Sequence, residues 1–126
     1  MTGAVVGLGV DLVDIVRFAA VLRRRPSLAE RLFSAEELAY AASLADPAPT
    51  LAARFAAKEA VMKALGVGIG AVDWTDVAVR RREGGSPELL VRGRAAVLAA
   101  ERGVSGWQVS ISHTATVASV TVLALS

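Results

Sequence analysis

Residues 107–125 read WQVSISHTATVASVTVLAL, and they decide the fold class. Trp107, Val109, Ile111 and His113 alternate with polar residues, which is the period-two pattern of a strand with two unlike faces. A short break at 114–116 follows, and Val117 to Leu125 resumes as a second β-rich run. Two such runs with a short connection predict an antiparallel hairpin.

Working outward, residues 4–13 predict another strand. Val6, Leu8, Val10 and Leu12 share one face, and Gly7, Gly9, Asp11 and Val13 share the other. A strand face with two glycines has room for a close approach to its backbone. Asp14 to Arg25 predicts a helix stopped by Pro26, with Ile15, Phe18, Val21 and Leu22 on its apolar face. A short connecting segment reaches Phe33. Ser34-Ala35-Glu36-Glu37 is a capping box that opens a helix to about Leu44. Leu51 to Leu65 is the clearest helix, with Gly66 as its stop. Gly66-Val67-Gly68-Ile69-Gly70 reads as a turn, since it lacks the Gly-Lys-Ser/Thr ending of a phosphate loop. Asp76 to Arg82 and Glu88 to Arg92 predict a hairpin, and Arg94 to Arg102 a helix ended by Gly103. The order is strand, three helices, hairpin, helix, hairpin. That is α+β, a mainly antiparallel sheet with helices packed on it, rather than an alternating parallel fold. With neither repeat nor linker, residues 1–126 read as a single domain.

Composition narrows the function classes. The chain has 126 residues, 54% hydrophobic but only 5% aromatic, and alanine supplies the largest share. Small side chains suit close helix packing. There is no cysteine, which excludes disulfides, thiolate metal sites and cysteine nucleophiles. The N-terminus lacks a basic region, and Asp11 and Asp14 interrupt its apolar run, so it does not read as a signal peptide. No stretch reaches the length of a membrane span. The expectation is a soluble cytoplasmic protein. The net charge is only +2, although the pI is about 9.7. That argues against a nucleic-acid partner and leaves room for a local phosphate site. Basic residues are twelve arginines against two lysines, Lys58 and Lys63, and one histidine, His113.

Glu59 and Lys63 are i,i+4 neighbours on the long helix, which by itself describes a surface ion pair. Glu59, however, falls among Phe55, Ala56 and Met62 on the helical wheel, where a carboxylate needs a cation or a donor. Asp11 at a strand end can cap a helix, but Asp14 is placed to fill that role. Two carboxylates from different elements suit a hard divalent cation, and Mg²⁺ or Mn²⁺ both accept oxygen ligands. Lys63 would then act as a point charge on phosphate. Ser112 and His113 are adjacent on a strand and point to opposite faces, a poor geometry for a nucleophile–base pair.

Taken together, Gly9-Val10-Asp11-Leu12-Val13-Asp14-Ile15 with Arg17, Arg54-Phe55-Ala56-Ala57-Lys58-Glu59-Ala60 with Lys63-Ala64-Leu65-Gly66, and Ser112-His113-Thr114 resemble the holo-acyl-carrier-protein synthases. These are the small class of 4′-phosphopantetheinyl transferases, and the resemblance spans essentially the whole chain. It implies transfer of the phosphopantetheine arm of coenzyme A to a serine of an apo acyl carrier protein, with release of 3′,5′-ADP, in fatty-acid or polyketide biosynthesis. It implies that Asp11 and Glu59 bind Mg²⁺ and that Lys63 contacts the pyrophosphate. Arg54, His113, Thr114 and the Gly85-Ser86-Pro87 loop would bind coenzyme A. Arg17 and Arg24 would meet the acidic carrier. Members form homotrimers whose active sites are shared between subunits. Such a transfer needs charge neutralisation and in-line positioning more than covalent help. Glu59, acting directly or through a metal-bound water, is the candidate base.

Overall fold

The computed structural model describes residues 3–126. Its elements run β1 (Val5–Asp14), α1 (Ile15–Arg24), α2 (Ser27–Leu32), α3 (Ala35–Ala42), α4 (Ala48–Leu65), a 3₁₀ turn (Trp74–Asp76), β2 (Val77–Arg81), β3 (Pro87–Val91), α5 (Gly93–Glu101), β4 (Gly106–His113) and β5 (Val117–Leu125). The fold is α+β and its strand pairs are antiparallel. β4 and β5 form the hairpin that the alternation predicts, with Gly106 opposite Leu125 and His113 opposite Ala118. β5 is the middle strand of a sheet ordered β1-β5-β4, and β2 and β3 form a separate ribbon.

Four helices, not three, lie between β1 and β2. The additional one is α2, inside the segment read as a plain connection. It has only six residues, too few for a helical period to show, and Pro26 occupies its N-cap position. α4 also begins three residues earlier than its apolar spacing suggests. Asp46 Oδ1 accepts from the Ala48 amide at 3.2 Å, and Pro49 falls in the first turn, where a missing N–H is harmless. Its end is as predicted: Gly66 takes a left-handed conformation with φ of 71°, and Val67 N donates to Met62 O.

α4 lies across the sheet, and small residues set how closely. Ala56, Ala57 and Ala60 are fully buried against it, as are Ala118, Val120, Val122 and Ala124 of β5. Burying a valine side chain contributes about 1.5–3 kcal/mol. On β1 the glycine face is the inner one. A Cβ at Gly9 would overlap the Ala60 carbonyl oxygen and stand 2.7 Å from its carbon and 3.0 Å from Ala64 N. A Cβ at Gly7 would overlap the Ala64 carbonyl oxygen. The group that approaches the glycines is therefore α4 itself.

The opposite face of β1 is apolar and uncovered. Leu8 is 58% exposed and Leu12 67% exposed, and Val6 and Val10 lie between and beside them. Leu8 sits opposite Leu123 and Val10 opposite Thr121 on β5. No helix among the described residues is long and apolar enough to cross a membrane.

Candidate functional site

Asp11 is on the glycine face of β1, so its carboxylate is turned toward α4 and is buried. Asp11 Oδ1 accepts from Lys63 Nζ at 3.0 Å. Lys63 Nζ also donates to the Val10 carbonyl at 2.9 Å. Asp11 Oδ2 is buried with no hydrogen-bond partner among the described residues. The predicted Glu59–Lys63 pair does not form within the reach of a salt bridge among those residues, because Lys63 is turned to Asp11. Glu59 stands one helical turn before Lys63. Burial pushes its carboxyl above the usual glutamate range, the Asp11 charge pushes it further, and Lys63 opposes both.

Two carboxylates close enough for one to disturb the other's proton, with one orphaned oxygen, fit a hard divalent cation. The described residues contain no cluster of three His, Cys, Asp or Glu side chains. A cation held here would draw the rest of its shell from water and substrate phosphates, as Mg²⁺ commonly does.

A second constellation lies on another face of α4. Arg54 is buried and its Nε donates to Val79 O at 3.3 Å, with Glu37 Oε2 at 3.7 Å. Its guanidinium carbon lies 4.7 Å from the centre of the Tyr40 ring. The Arg81 guanidinium is 5.7 Å from the same ring. Arg54, Arg81, Gly85, Pro87 and His113 line one cleft of about 330 Å³. Ser86 lies with Pro87 on an adjoining groove. His113 Nδ1 is 2.9 Å from Thr114 O. A carbonyl only accepts, so Nδ1 carries the hydrogen and Nε2 is left for a ligand. Thr114 Oγ1 accepts from Thr116 N and Val117 N and closes the β4–β5 turn.

The residues that the motifs group together thus divide. Arg54 and Lys63 are nine positions apart on one helix, half a rotation round it and about 14 Å along it. Asp11, Glu59 and Lys63 form one cluster, and Arg54, His113, Gly85 and Pro87 line a separate cleft.

Beside Glu59 a groove of about 510 Å³ is lined by Phe18, Leu28, Phe55 and Trp74, with Arg17 at its rim. Phe55 stacks on Phe18 at 4.9 Å between ring centres. Asp14 caps α1 by accepting from Arg17 N at 2.8 Å. The Arg17 side chain is exposed, as is Arg24 in the last turn. Arg17 therefore borders the groove beside Glu59, whereas Arg24 lines neither cleft.

Sequence reasoning missed Glu37, Tyr40 and Arg81. Glu37 was visible only as the fourth residue of a capping box, and Arg81 only as the middle of an arginine triplet. The strand alternation separates that triplet: Arg80 and Arg82 turn to Glu88, and Arg81 to Gly85 O.

The sequence model of the 4′-phosphopantetheinyl transferase superfamily matches residues 7–118. The chain is 49% identical over 120 residues to the holo-[acyl-carrier-protein] synthase of Streptomyces griseus, covering 95% of this chain and 98% of that one. In structure it is similar to the holo-[acyl-carrier-protein] synthase of Neisseria meningitidis, with a TM-score of 0.87, 31% identity and 96% and 98% of the two chains covered. It is also similar to that of Bacillus anthracis in complex with CoA (3′,5′-ADP), with a TM-score of 0.82, 30% identity and 100% and 99% covered.

Proposed function

The chain belongs to the 4′-phosphopantetheinyl transferase superfamily, and from that premise we propose that it is a Mg²⁺-dependent holo-acyl-carrier-protein synthase, acting as a single domain over residues 1–126. The observation that carries the reading is the Asp11–Glu59–Lys63 cluster with its orphaned, buried Asp11 Oδ2. The substrates are coenzyme A and the serine of an acidic apo acyl carrier protein, in fatty-acid or polyketide biosynthesis, and we place the reaction in the cytoplasm.

In the transfer the serine oxygen forms a bond to the pantetheine-side phosphorus, and the bond from that phosphorus to the bridging oxygen breaks. 3′,5′-ADP leaves with that oxygen. Asp11 and Glu59 would hold Mg²⁺, which when bound supplies Lewis-acid neutralisation of the pyrophosphate charge. Lys63 contacts the pyrophosphate as a point charge. A Glu59 carboxylate oxygen not engaged by the cation takes the serine proton. Arg54, His113, Thr114 and the Gly85-Ser86-Pro87 turn bind the nucleotide end of coenzyme A. Arg17 and Arg24 face the acidic carrier.

Two features support a homotrimer with shared sites. Arg54 and Lys63 lie on opposite sides of α4, so a second copy that sets its phosphate cleft beside this copy's cation cluster would complete a shared site. The exposed row Val6, Leu8, Val10 and Leu12 offers an apolar strip for such a contact.

The test is incubation with coenzyme A, Mg²⁺ and a panel of apo carriers, read by mass spectrometry. The proposal expects each true substrate to gain one phosphopantetheine. A protein that binds coenzyme A and leaves every carrier unmodified would instead be a binding module.

A further inference from the structure

Glu37 is only 1% exposed, and its two carboxylate oxygens meet four groups. Oε1 accepts from Lys58 Nζ at 2.9 Å and from the Ser34 amide at 3.2 Å. Oε2 accepts from the Val79 amide at 3.1 Å and pairs with Arg54 Nε at 3.7 Å. Lys58 Nζ also donates to the Val77 carbonyl. One carboxylate thus ties the start of α3, two successive turns of α4 and the buried edge of β2.

A helix cap needs only the Ser34 contact. A buried anion facing two cations is expensive to desolvate, and replacing such a network with apolar residues is often neutral for stability. Stability alone therefore does not account for the network. Its geometry shows what it holds. Among the described residues, the hydrogen bond and ion pair of Arg54 both use Nε. That leaves Nη1 and Nη2 for the cleft shared with Arg81, Gly85 and His113. Val79 lines the same cleft, and its amide and carbonyl are the groups fastened to Glu37 and Arg54.

We propose that Glu37 is a positioning residue for the phosphate cleft. It holds the Arg54 guanidinium and the β2–β3 ribbon in one register, so that Arg54, Arg81 and the Gly85 turn present a preformed surface to an anionic ligand. Lys58 completes the network as a compact ammonium that reaches Glu37 and Val77 O together, a geometry for which the planar guanidinium fork of arginine is unsuited. This inference rests on the cleft being the coenzyme A site.

The test is the double variant Glu37→Gln/Lys58→Met, which removes the Glu37–Lys58 pair together and leaves Arg54 without its carboxylate anchor. Coenzyme A affinity is measured by calorimetry and the transfer reaction by its KM values, with circular dichroism confirming the fold. The expected result is coenzyme A binding weakened about tenfold or more, a raised KM for coenzyme A and an unchanged KM for the carrier. Ser34→Ala, which removes the cap alone, is expected to lower the melting temperature and leave coenzyme A affinity unaltered. Should the double variant not fold, Glu37→Asp keeps the charge, shortens its reach by one methylene and is judged by the same criterion. A folded variant with unaltered coenzyme A affinity overturns the positioning role. A wild-type protein that does not bind coenzyme A overturns the reading of the cleft instead.

Discussion

Replacing Gly9 by alanine puts a methyl carbon where α4 crosses β1. The new carbon would overlap the Ala60 carbonyl oxygen and stand 2.7 Å from the Ala60 carbonyl carbon. Carbon atoms rest at about 3.5–4.0 Å. The obstructing atoms are backbone, so no side chain can swing aside, and α4 must retreat by about 1 Å. Overpacking costs about 1–3 kcal/mol, and rigid neighbours on both sides place this case near 3 kcal/mol. With about 2.1 cal/mol/K per residue of unfolding entropy, that lowers the melting temperature by about 11 °C. The same retreat carries Glu59 and Lys63, the neighbours of Ala60 and Ala64, away from Asp11. A misplacement of this size is expected to lower kcat/KM by about 100-fold. Thermal denaturation at one protein concentration is the assay, with Gly68→Ala as control, since a Cβ there meets nothing within 4 Å. Gly9→Ala melting within about 2 °C of wild type, or no worse than Gly68→Ala, would refute the argument that glycine sets the distance between β1 and α4.

Lys58→Ala removes the nearer of the two cations facing the buried Glu37 carboxylate, and its stability in denaturant titration is expected to fall by about 3 kcal/mol; a loss under about 1 kcal/mol would count against a buried ion pair. Leu12→Asp places a charge on the exposed apolar strip, and analytical ultracentrifugation is expected to show monomers where the wild type is assembled; equal masses would remove β1 from the interface. Because Glu59 titrates above its ordinary value in the folded chain, its protonated form stabilises the fold below its unfolded pKa, and that contribution is lost as pH rises through the raised value. The melting temperature of wild type relative to Glu59→Gln should therefore decline across that window, and a rise would contradict it. Over the same window, binding of Mg²⁺ should release a proton, detectable by calorimetry in buffers of different ionisation heat.

Much of this was legible from local rules. The alternation of Trp107, Val109 and Ile111 marked β4, the break before Val117 marked the hairpin, and Ser34 with Glu37 marked the start of α3. These signals lie within a few residues of chain. The glycine face of β1 was legible as a place of close approach, but not what approaches, since Ala60 and Ala64 lie some fifty residues away. Lys63 was expected beside Glu59 because helical spacing puts them one above the other. The strand carrying Asp11 offered it a buried carboxylate and the Val10 carbonyl, and the tertiary partner prevailed over the local one. Glu37 shows the same limit: its capping contact is sequential, whereas Lys58, Arg54 and Val79 reach it only once α3, α4 and β2 are packed. Arg54 and Lys63 were grouped by their shared motif, and only the folded chain shows that their faces of α4 lead to different clefts.

The central claim is that Asp11 and Glu59 together hold the cation that makes phosphopantetheine transfer possible. The most direct measurement is the mass of an apo carrier after incubation with coenzyme A and Mg²⁺, using wild type and Asp11→Asn, each with and without a chelator. Asparagine keeps the shape of Asp11 and removes the charge that the orphaned Oδ2 would lend to a cation. The account predicts a gain of one phosphopantetheine with wild type and Mg²⁺ only, and an unmodified carrier in the other three reactions. Full transfer by a folded Asp11→Asn variant, or by wild type in chelator, would contradict it.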